Sequence, residues 1–251
     1  MALTGPISRG SLAYTFAACL IAPAVIAAAS IAQAAPDHLN DTTSCPAGEL
    51  DACYRSDQMR ELAETGEQLV TGYLTQIGIT GDSLPRLTYI PYGGDTSSQC
   101  VDSNGRNTQN DRSYSYCLTD NTVYIGQNTL WDFYQRYGAV GPISGLAHEY
   151  GHFLQAVSRV PNPRSASETI RNENQADCIS GTFVSYLHGR ENTERQRDVD
   201  RVEQYLTATA SVEAPGRDHG TAEERVDSFE LGYRGGLQTC NQFYPATPLT
   251  G

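Results

Sequence analysis

Apolar residues recur along the chain at helical spacing in some segments, and other segments are rich in residues that favour β-strands. Spacings of three and four residues predict a first helix over residues 56–77, with glycines soon after it. β-rich stretches predict a strand over residues 86–92 and a hairpin whose strands cover residues 114–118 and 122–125. Residues 93–112 are mostly glycine, serine, asparagine and aspartate, and we expect them to form a long surface loop.

The second half of the chain has helical patterns only. The apolar positions after Pro142 share one face and end before Pro161, which predicts a helix. Three more helices are predicted, one capped by Ser165 and Glu168 and reaching about His188, one over residues 193–210, and one capped by Thr221 and Glu224. A small sheet followed by helices, without regular βαβ alternation, indicates the α+β class.

Composition and charge narrow the possible partners. The 251 residues are 39% hydrophobic and 18% charged, which is typical of a globular protein. The 17 basic residues, all of them arginine, are outnumbered by 29 acidic ones, so the net charge is −12. Because an acidic chain without a basic stripe repels phosphate backbones, we expect no nucleic-acid partner.

Residues 1–34 have the features of a secretory signal peptide. They contain an apolar run over residues 12–32 and end in Ala32-Gln33-Ala34. We therefore expect cleavage near Ala34 and a secreted mature chain, with residues 35–55 as an N-terminal loop segment and residues 56–251 as one domain. A retained membrane anchor is the alternative, since about 20 apolar residues can span a bilayer. No later stretch is as apolar, so we expect no stable membrane insertion of the mature chain.

Cysteine usage agrees with export. One of the 7 cysteines lies within the signal segment, and the others are Cys45, Cys53, Cys100, Cys117, Cys178 and Cys240. An even number in an exported chain predicts disulfides, although the sequence alone allows many pairings. Loop arguments favour Cys45 with Cys53 and Cys100 with Cys117, which leaves Cys178 and Cys240 for each other. None of the spacings is typical of a thiolate zinc site.

The helix after Pro142 contains the motif His148-Glu149-Tyr150-Gly151-His152. Residues four apart lie on one face of a helix, so both imidazoles can reach one Zn²⁺ ion, for which imidazole nitrogen is a good ligand. Glu149 is placed to take a proton from a water molecule at the metal. The motif therefore predicts a zinc site with one ion per chain.

The next predicted helix supplies two carboxylates, Glu173 and Asp177, four residues apart on one face. An antiparallel helix hairpin would bring Glu173 opposite the two histidines as a third ligand, with a fourth position open to water. Asp177 would then accept a hydrogen bond from a ligand imidazole. The alternative for both acids is a solvated helix face. Gln155 and Ser158 stand where a metzincin has glycine and histidine, which excludes that variant.

The two motifs, H-E-x-G-H and E-x-Q-A-D-C, resemble the neutral zinc metallopeptidase family, bacterial peptidases of gluzincin type. The stretch from His219 to Val226 and the hairpin around Tyr116 are also similar to that family, so the resemblance covers about residues 86–244. It implies a zincin-like fold, in which a small sheet with antiparallel strands accompanies the HExxH helix and the helices after it. Many members have a second histidine directly after the motif, where this chain has Phe153.

A further resemblance concerns His219 and Arg225. Their spacing after E-x-x-A-D is similar to that in the membrane-integral CAAX-type metallopeptidases. By that resemblance His219 would help to hold the oxyanion of a tetrahedral intermediate. The alternative is a loop histidine beside Asp218. We expect Arg225 to pair with a buried carboxylate rather than to touch substrate.

These features together predict an exported zinc-dependent metalloendopeptidase that acts on peptide or protein substrates. His148, His152 and Glu173 would bind zinc, and Glu149 would act as the general base. The alternative function is a non-catalytic exported zinc-binding or adhesion domain, whose helix pair is held together by the metal.

Overall fold

The computed structural model describes residues 56–101, 105–189, 195–212, 214 and 216–249. The predicted signal peptide, the N-terminal loop segment and the pair Cys45 and Cys53 therefore lie outside the described residues. The described residues form a mixed structure with a small sheet and several helices, which agrees with the predicted α+β class.

The helices and strands of the described residues follow one another as α1 (Ser56–Gln76), β1 (Arg86–Ile90), β2 (Asp95–Ser97), β3 (Thr108–Asn110), β4 (Tyr114–Cys117), β5 (Thr122–Gly126), α2 (Gln127–Tyr137), α3 (Val140–Val157), α4 (Ala166–His188), α5 (Arg195–Ala208) and α6 (Ala222–Gly235). Short 3₁₀ helices cover Gly81–Ser83 and Leu237–Gln242. Most of the elements expected from periodicity are present with bounds close to the predicted ones.

The strands belong to two small sheets. β5 is central in the first, with β1 parallel on one side and β4 antiparallel on the other, so that β4 is an edge strand. The second sheet is the antiparallel pair of β2 and β3. This pair corrects the expected loop over residues 93–112. Each of its strands has three polar or charged residues, and no alternation of apolar positions revealed them.

Helix α2 was not predicted from the sequence, and the first helix after the hairpin was expected to follow Pro142. The buried apolar residues of α2 do have helical spacing and are Leu130, Trp131, Tyr134 and Tyr137. However, aromatic residues are also enriched in strands, and the N-cap, Gly126, offers no side-chain hydrogen bond. The next helix, α3, begins at Val140, and Pro142 is tolerated in its first turn, where backbone N–H groups have no intrahelical partner.

Two helix starts carry the predicted caps, with one difference. Thr221 and Glu224 form a complete capping box at α6. At α4 the Ser165 side chain accepts a hydrogen bond from the Glu168 backbone. The Glu168 carboxylate, however, accepts from the backbone N–H of Arg164. The capping box at α4 is therefore only half formed.

Close helix contacts bring α3, α4 and α6 together. Gly151 of α3 faces α4, and a Cβ at that position would lie 3.2 Å from the Cα of Ala176. Gly232 of α6 is packed so tightly on α4 that a Cβ there would overlap the carbonyl oxygen of Cys178. These glycines allow the backbones to approach each other, and the side chains of the candidate site lie on the same three elements and on the loop before α6.

Two disulfides are present among the described residues. Cys100 is bonded to Cys117 at the end of β4, and Cys178 of α4 is bonded to Cys240 in the second 3₁₀ helix. The first is a pair that the loop arguments favoured, and the second is the pair that they left over. Within the described part of the chain, we found no helix with both the length and the apolar character of a membrane span.

Candidate metal centre

Three side chains from α3 and α4 meet at one point. His148 and His152 lie one turn apart on α3, and Glu173 reaches them from α4. One ligand atom from each residue can be chosen so that all three lie within 4.8 Å of one another. Nε2 of His148 is 3.2 Å from Oε2 of Glu173, and Nε2 of His152 is 3.3 Å from Oε1.

The donor atoms are of the kinds that bind zinc. Zinc bonds of about 2.0–2.2 Å place neighbouring tetrahedral ligand atoms about 3.3–3.6 Å apart. The two distances from the imidazoles to Glu173 are close to that range, each to a different oxygen of the carboxylate, and the three ligand atoms together lie within 4.8 Å. Two imidazoles and one carboxylate are also the donor set of catalytic zinc sites that keep a position free for water.

The electrostatics of the three groups are strongly linked. Burial alone would lower the pKa of His148, but the carboxylates of Asp177 and Glu173 outweigh it and raise the pKa to about 10. The pKa of His152 is also raised, by Glu173 against the effect of burial. Burial raises the pKa of Glu173, yet the two imidazoles hold it well below its usual range. The carboxylate of Glu173 thus stays charged and attracts either protons on the imidazoles or a cation in their place.

A buried ion pair supports His148. Nδ1 of His148 lies 2.8 Å from Oδ1 of Asp177. The guanidinium of Arg225 donates to both oxygens of that carboxylate, over 2.8 Å from Nε and 2.9 Å from Nη2. Burial raises the pKa of Asp177, but Arg225 and His148 outweigh it and lower the pKa. The structure therefore places Asp177 beside an imidazole and pairs Arg225 with a buried carboxylate, as the sequence led us to expect.

Glu149 lies beside the two histidines and has a partner that the sequence analysis missed. Its Oε2 accepts a hydrogen bond of 2.8 Å from the backbone N–H of Tyr116, in the edge strand β4. Burial raises the pKa of Glu149, against the opposing effect of the two imidazoles. A carboxylate with a raised pKa is suited to accept a proton as a general base.

His219 lies at the rim of the site, on the loop before α6. Its Nε2 is 3.5 Å from Oε2 of Glu173, and its Nδ1 is 3.1 Å from Oδ1 of Asp218. The side chain is 40% exposed. Arg217 donates to the His219 carbonyl oxygen and to Glu224, which holds the loop against α6. His219 thus has both the contact with Asp218 and a place next to the three candidate ligands.

Gln155 is a second residue whose role the sequence analysis missed. Its Oε1 lies 2.9 Å from Nδ1 of His152. Its Nε2 donates to the carbonyl oxygen of Asn172 over 2.7 Å and to Oε1 of Gln175 over 3.1 Å. The spacing of three residues from His152 could have indicated the contact, because residues i and i+3 are neighbours on a helix.

A pocket of about 160 Å³ opens beside His152. The residues that line it are Tyr116, Leu118, His152, Gln155, Ala156, Val160, Pro161, Asn162 and Asn172. None of these has a carboxylate or a guanidinium group. Oδ1 of Asn172 is buried and has no hydrogen-bond partner among the described residues. The pocket therefore offers no carboxylate or guanidinium partner to a charged group buried in it.

The chain was compared with family models, with curated proteins and with solved structures, and none of the three comparisons gave a match. Function is therefore inferred from the residues and distances of the site alone.

Proposed function

We propose that this chain is an exported zinc-dependent metalloendopeptidase. The observation that carries the proposal is the approach of His148, His152 and Glu173 to within 4.8 Å, with Glu149 on the same helix as the two histidines. A zincin-like arrangement is supported by the edge strand β4, which contacts Glu149 through the backbone of Tyr116. The two disulfides favour export, because such bonds persist in oxidising compartments.

In this proposal His148, His152 and Glu173 hold one zinc ion per chain. A zinc ion bound there supplies Lewis-acid polarisation of a carbonyl oxygen and lowers the pKa of a water molecule. Glu149 accepts a proton from the water that attacks the peptide carbonyl and delivers it to the leaving amine. His219, at the rim of the site, donates a hydrogen bond to the carbonyl oxygen as that oxygen gains negative charge.

The Glu149→Gln variant tests this function, because it keeps the size of the side chain and removes the base. We expect about one zinc per chain in both proteins, measured by elemental analysis. Digestion of a diverse peptide mixture, followed by mass spectrometry, should show a loss of cleavage of at least about 100-fold in the variant. Glu64→Gln, at an exposed position of α1, is the matched control and should cleave like the wild type.

Each outcome of this experiment has a clear meaning. The peptidase is supported if a chelator abolishes cleavage by the wild type and if Glu149→Gln loses cleavage but retains zinc. A wild-type chain that binds zinc and cleaves no peptide supports the non-catalytic zinc-binding domain instead. A chain that binds no zinc, or keeps its zinc after His148→Ala and His152→Ala, contradicts both functions.

A further inference from the structure

We propose that Gln155 and Gln175 form a buried amide relay that presents Nε2 of His152 to the metal ion, which makes both glutamines positioning residues. The proposal rests on the proposed function in one respect, since it takes His152 as a zinc ligand. It goes beyond that function because it assigns a role to two neutral side chains that do not touch the metal themselves.

The amide relay is a continuous chain of hydrogen bonds in the protein interior. The side chains of Gln155 and Gln175 are 3% and 0% exposed. Oε1 of Gln155 contacts Nδ1 of His152, and its Nε2 donates to Asn172 and to Oε1 of Gln175. Nε2 of Gln175 donates in turn to the carbonyl oxygen of Cys240 over 3.1 Å.

Two backbone carbonyl groups determine which atom donates in each hydrogen bond of the amide relay. A carbonyl oxygen can only accept a hydrogen bond. The NH₂ group of Gln155 must therefore face the carbonyl of Asn172, and that of Gln175 must face the carbonyl of Cys240. If either amide were turned over, two oxygen atoms would meet in a buried place without a proton between them, which is unfavourable.

The direction of the hydrogen bonds in the amide relay determines which nitrogen of His152 carries a proton. Oε1 of Gln155 has no proton to give, so Nδ1 of His152 must be the donor of their hydrogen bond. A neutral imidazole that is protonated at Nδ1 has its free electron pair on Nε2. Nε2 is also the atom that lies 3.3 Å from Glu173. The amide relay thus selects the tautomer that can bind a metal through Nε2, on the side of Glu173.

The two candidate histidine ligands are therefore held by different means. His148 is backed by the charged Asp177 and Arg225, and His152 by neutral amides. The far end of the relay is Cys240, whose disulfide with Cys178 ties it to α4, the helix that also carries Gln175 and Glu173.

Zinc affinity of the full chain, measured by competition with a chromophoric chelator, tests the amide relay. Gln155→Met keeps the length of the side chain and removes the amide oxygen and nitrogen, and we expect the Kd for zinc to rise about 10–100-fold. Gln155→Glu keeps an acceptor for Nδ1 of His152, so the folded variant should retain most of the zinc affinity, although its second oxygen meets the carbonyl oxygen of Asn172 and should lower the free energy of unfolding. Gln175→Met should have a smaller effect than Gln155→Met. Gln204→Met, at an exposed position of α5, is the matched control and should bind zinc like the wild type.

Nuclear magnetic resonance of the zinc-loaded protein gives a second readout. The Nδ1 proton of His152 should exchange slowly in the wild type and in Gln155→Glu, because its acceptor is kept, and quickly in Gln155→Met. Unchanged zinc affinity in Gln155→Met, or equal losses in the Met and Glu variants, would overturn the amide relay whether or not the protein cleaves peptides.

The expected order of affinities without any peptide cleavage would support the relay and reject the peptidase. If Gln155→Met does not fold, Gln175→Met decides the question. A higher Kd for zinc together with faster exchange of the His152 proton supports the relay, and a wild-type value of either overturns it.

Discussion

Replacing Gly232 by alanine should force α6 away from α4. A Cβ at this position would overlap the carbonyl oxygen of Cys178, and a helix cannot turn one carbonyl aside without breaking its own hydrogen bonds. To restore van der Waals distance the two backbones must separate by more than about 1 Å. Overpacking of this kind costs about 1–3 kcal/mol, and we expect a loss near 3 kcal/mol because both partners are parts of helices. For a chain of this size that corresponds to a fall in Tm of about 6–12 °C.

The displacement should also reach the candidate metal centre. Arg225 lies seven residues before Gly232, two turns along the same face of α6, and its guanidinium pairs with Asp177. If α6 moves outward, these hydrogen bonds lengthen and Asp177 holds His148 less firmly. We therefore expect Gly232→Ala to bind zinc more weakly as well as to unfold more easily.

Urea unfolding followed by circular dichroism, together with chelator competition for zinc, checks both effects. Gly72→Ala is the matched control, because Gly72 lies within α1 and a Cβ there would meet no atom within 4 Å. The same chemical change should stabilise the chain there by about 0.5–1 kcal/mol, since alanine is the better helix former. A Gly232→Ala variant as stable as the wild type, or losses of equal size at both positions, would refute the reasoning.

Three other changes have specific expected outcomes. Ala156→Leu should raise KM for peptides with a bulky neutral side chain, because Ala156 lines the pocket beside His152. Val157→Leu, outside that pocket, is the control and should leave KM unchanged in steady-state kinetics with matched substrates. Glu224→Gln should lower the free energy of unfolding by on the order of 0.5 kcal/mol at pH 7, a small value because the carboxylate is partly exposed. A hydrogen bond from Arg217 lowers the pKa of Glu224. The stabilisation is therefore present above the unfolded pKa and is lost as the pH falls through the folded pKa. Urea titrations below about pH 4 should show that the difference in unfolding free energy between the wild type and the variant disappears. Changing both Cys178 and Cys240 to alanine removes a disulfide that spans 62 residues. The free energy of unfolding should fall by about 4 kcal/mol, and zinc should be retained less well. An unchanged free energy of unfolding would contradict the chain-entropy reasoning.

Local sequence patterns predicted much of the fold. Apolar periodicity indicated α1 and α3, and the caps at Ser165 and Thr221 indicated where α4 and α6 begin. The spacing of His148 and His152, followed by a carboxylate on the next helix, indicated the three side chains that the structure brings together. These features depend on residues close in sequence, which a period or a cap reveals.

The features that escaped prediction depend on contacts between distant segments. The strands β2 and β3 are polar and, among the described residues, pair with each other alone, so no buried face marked them in the sequence. The direction of the Gln155 amide depends on the carbonyl of Asn172 and on Gln175, which lie on another helix. A residue type shows that a side chain can donate and accept, but it does not show which neighbour the fold brings to it.

The hydrogen bond between Tyr116 and Glu149 uses a backbone N–H, and this has a consequence for how the protein can diverge. Every residue except proline has that N–H group, so position 116 can change to almost any residue and still hold the carboxylate. Alanine scanning would leave this donor in place. Among diverged sequences that keep the same contact, its trace would be the absence of proline at this position rather than the presence of any particular residue.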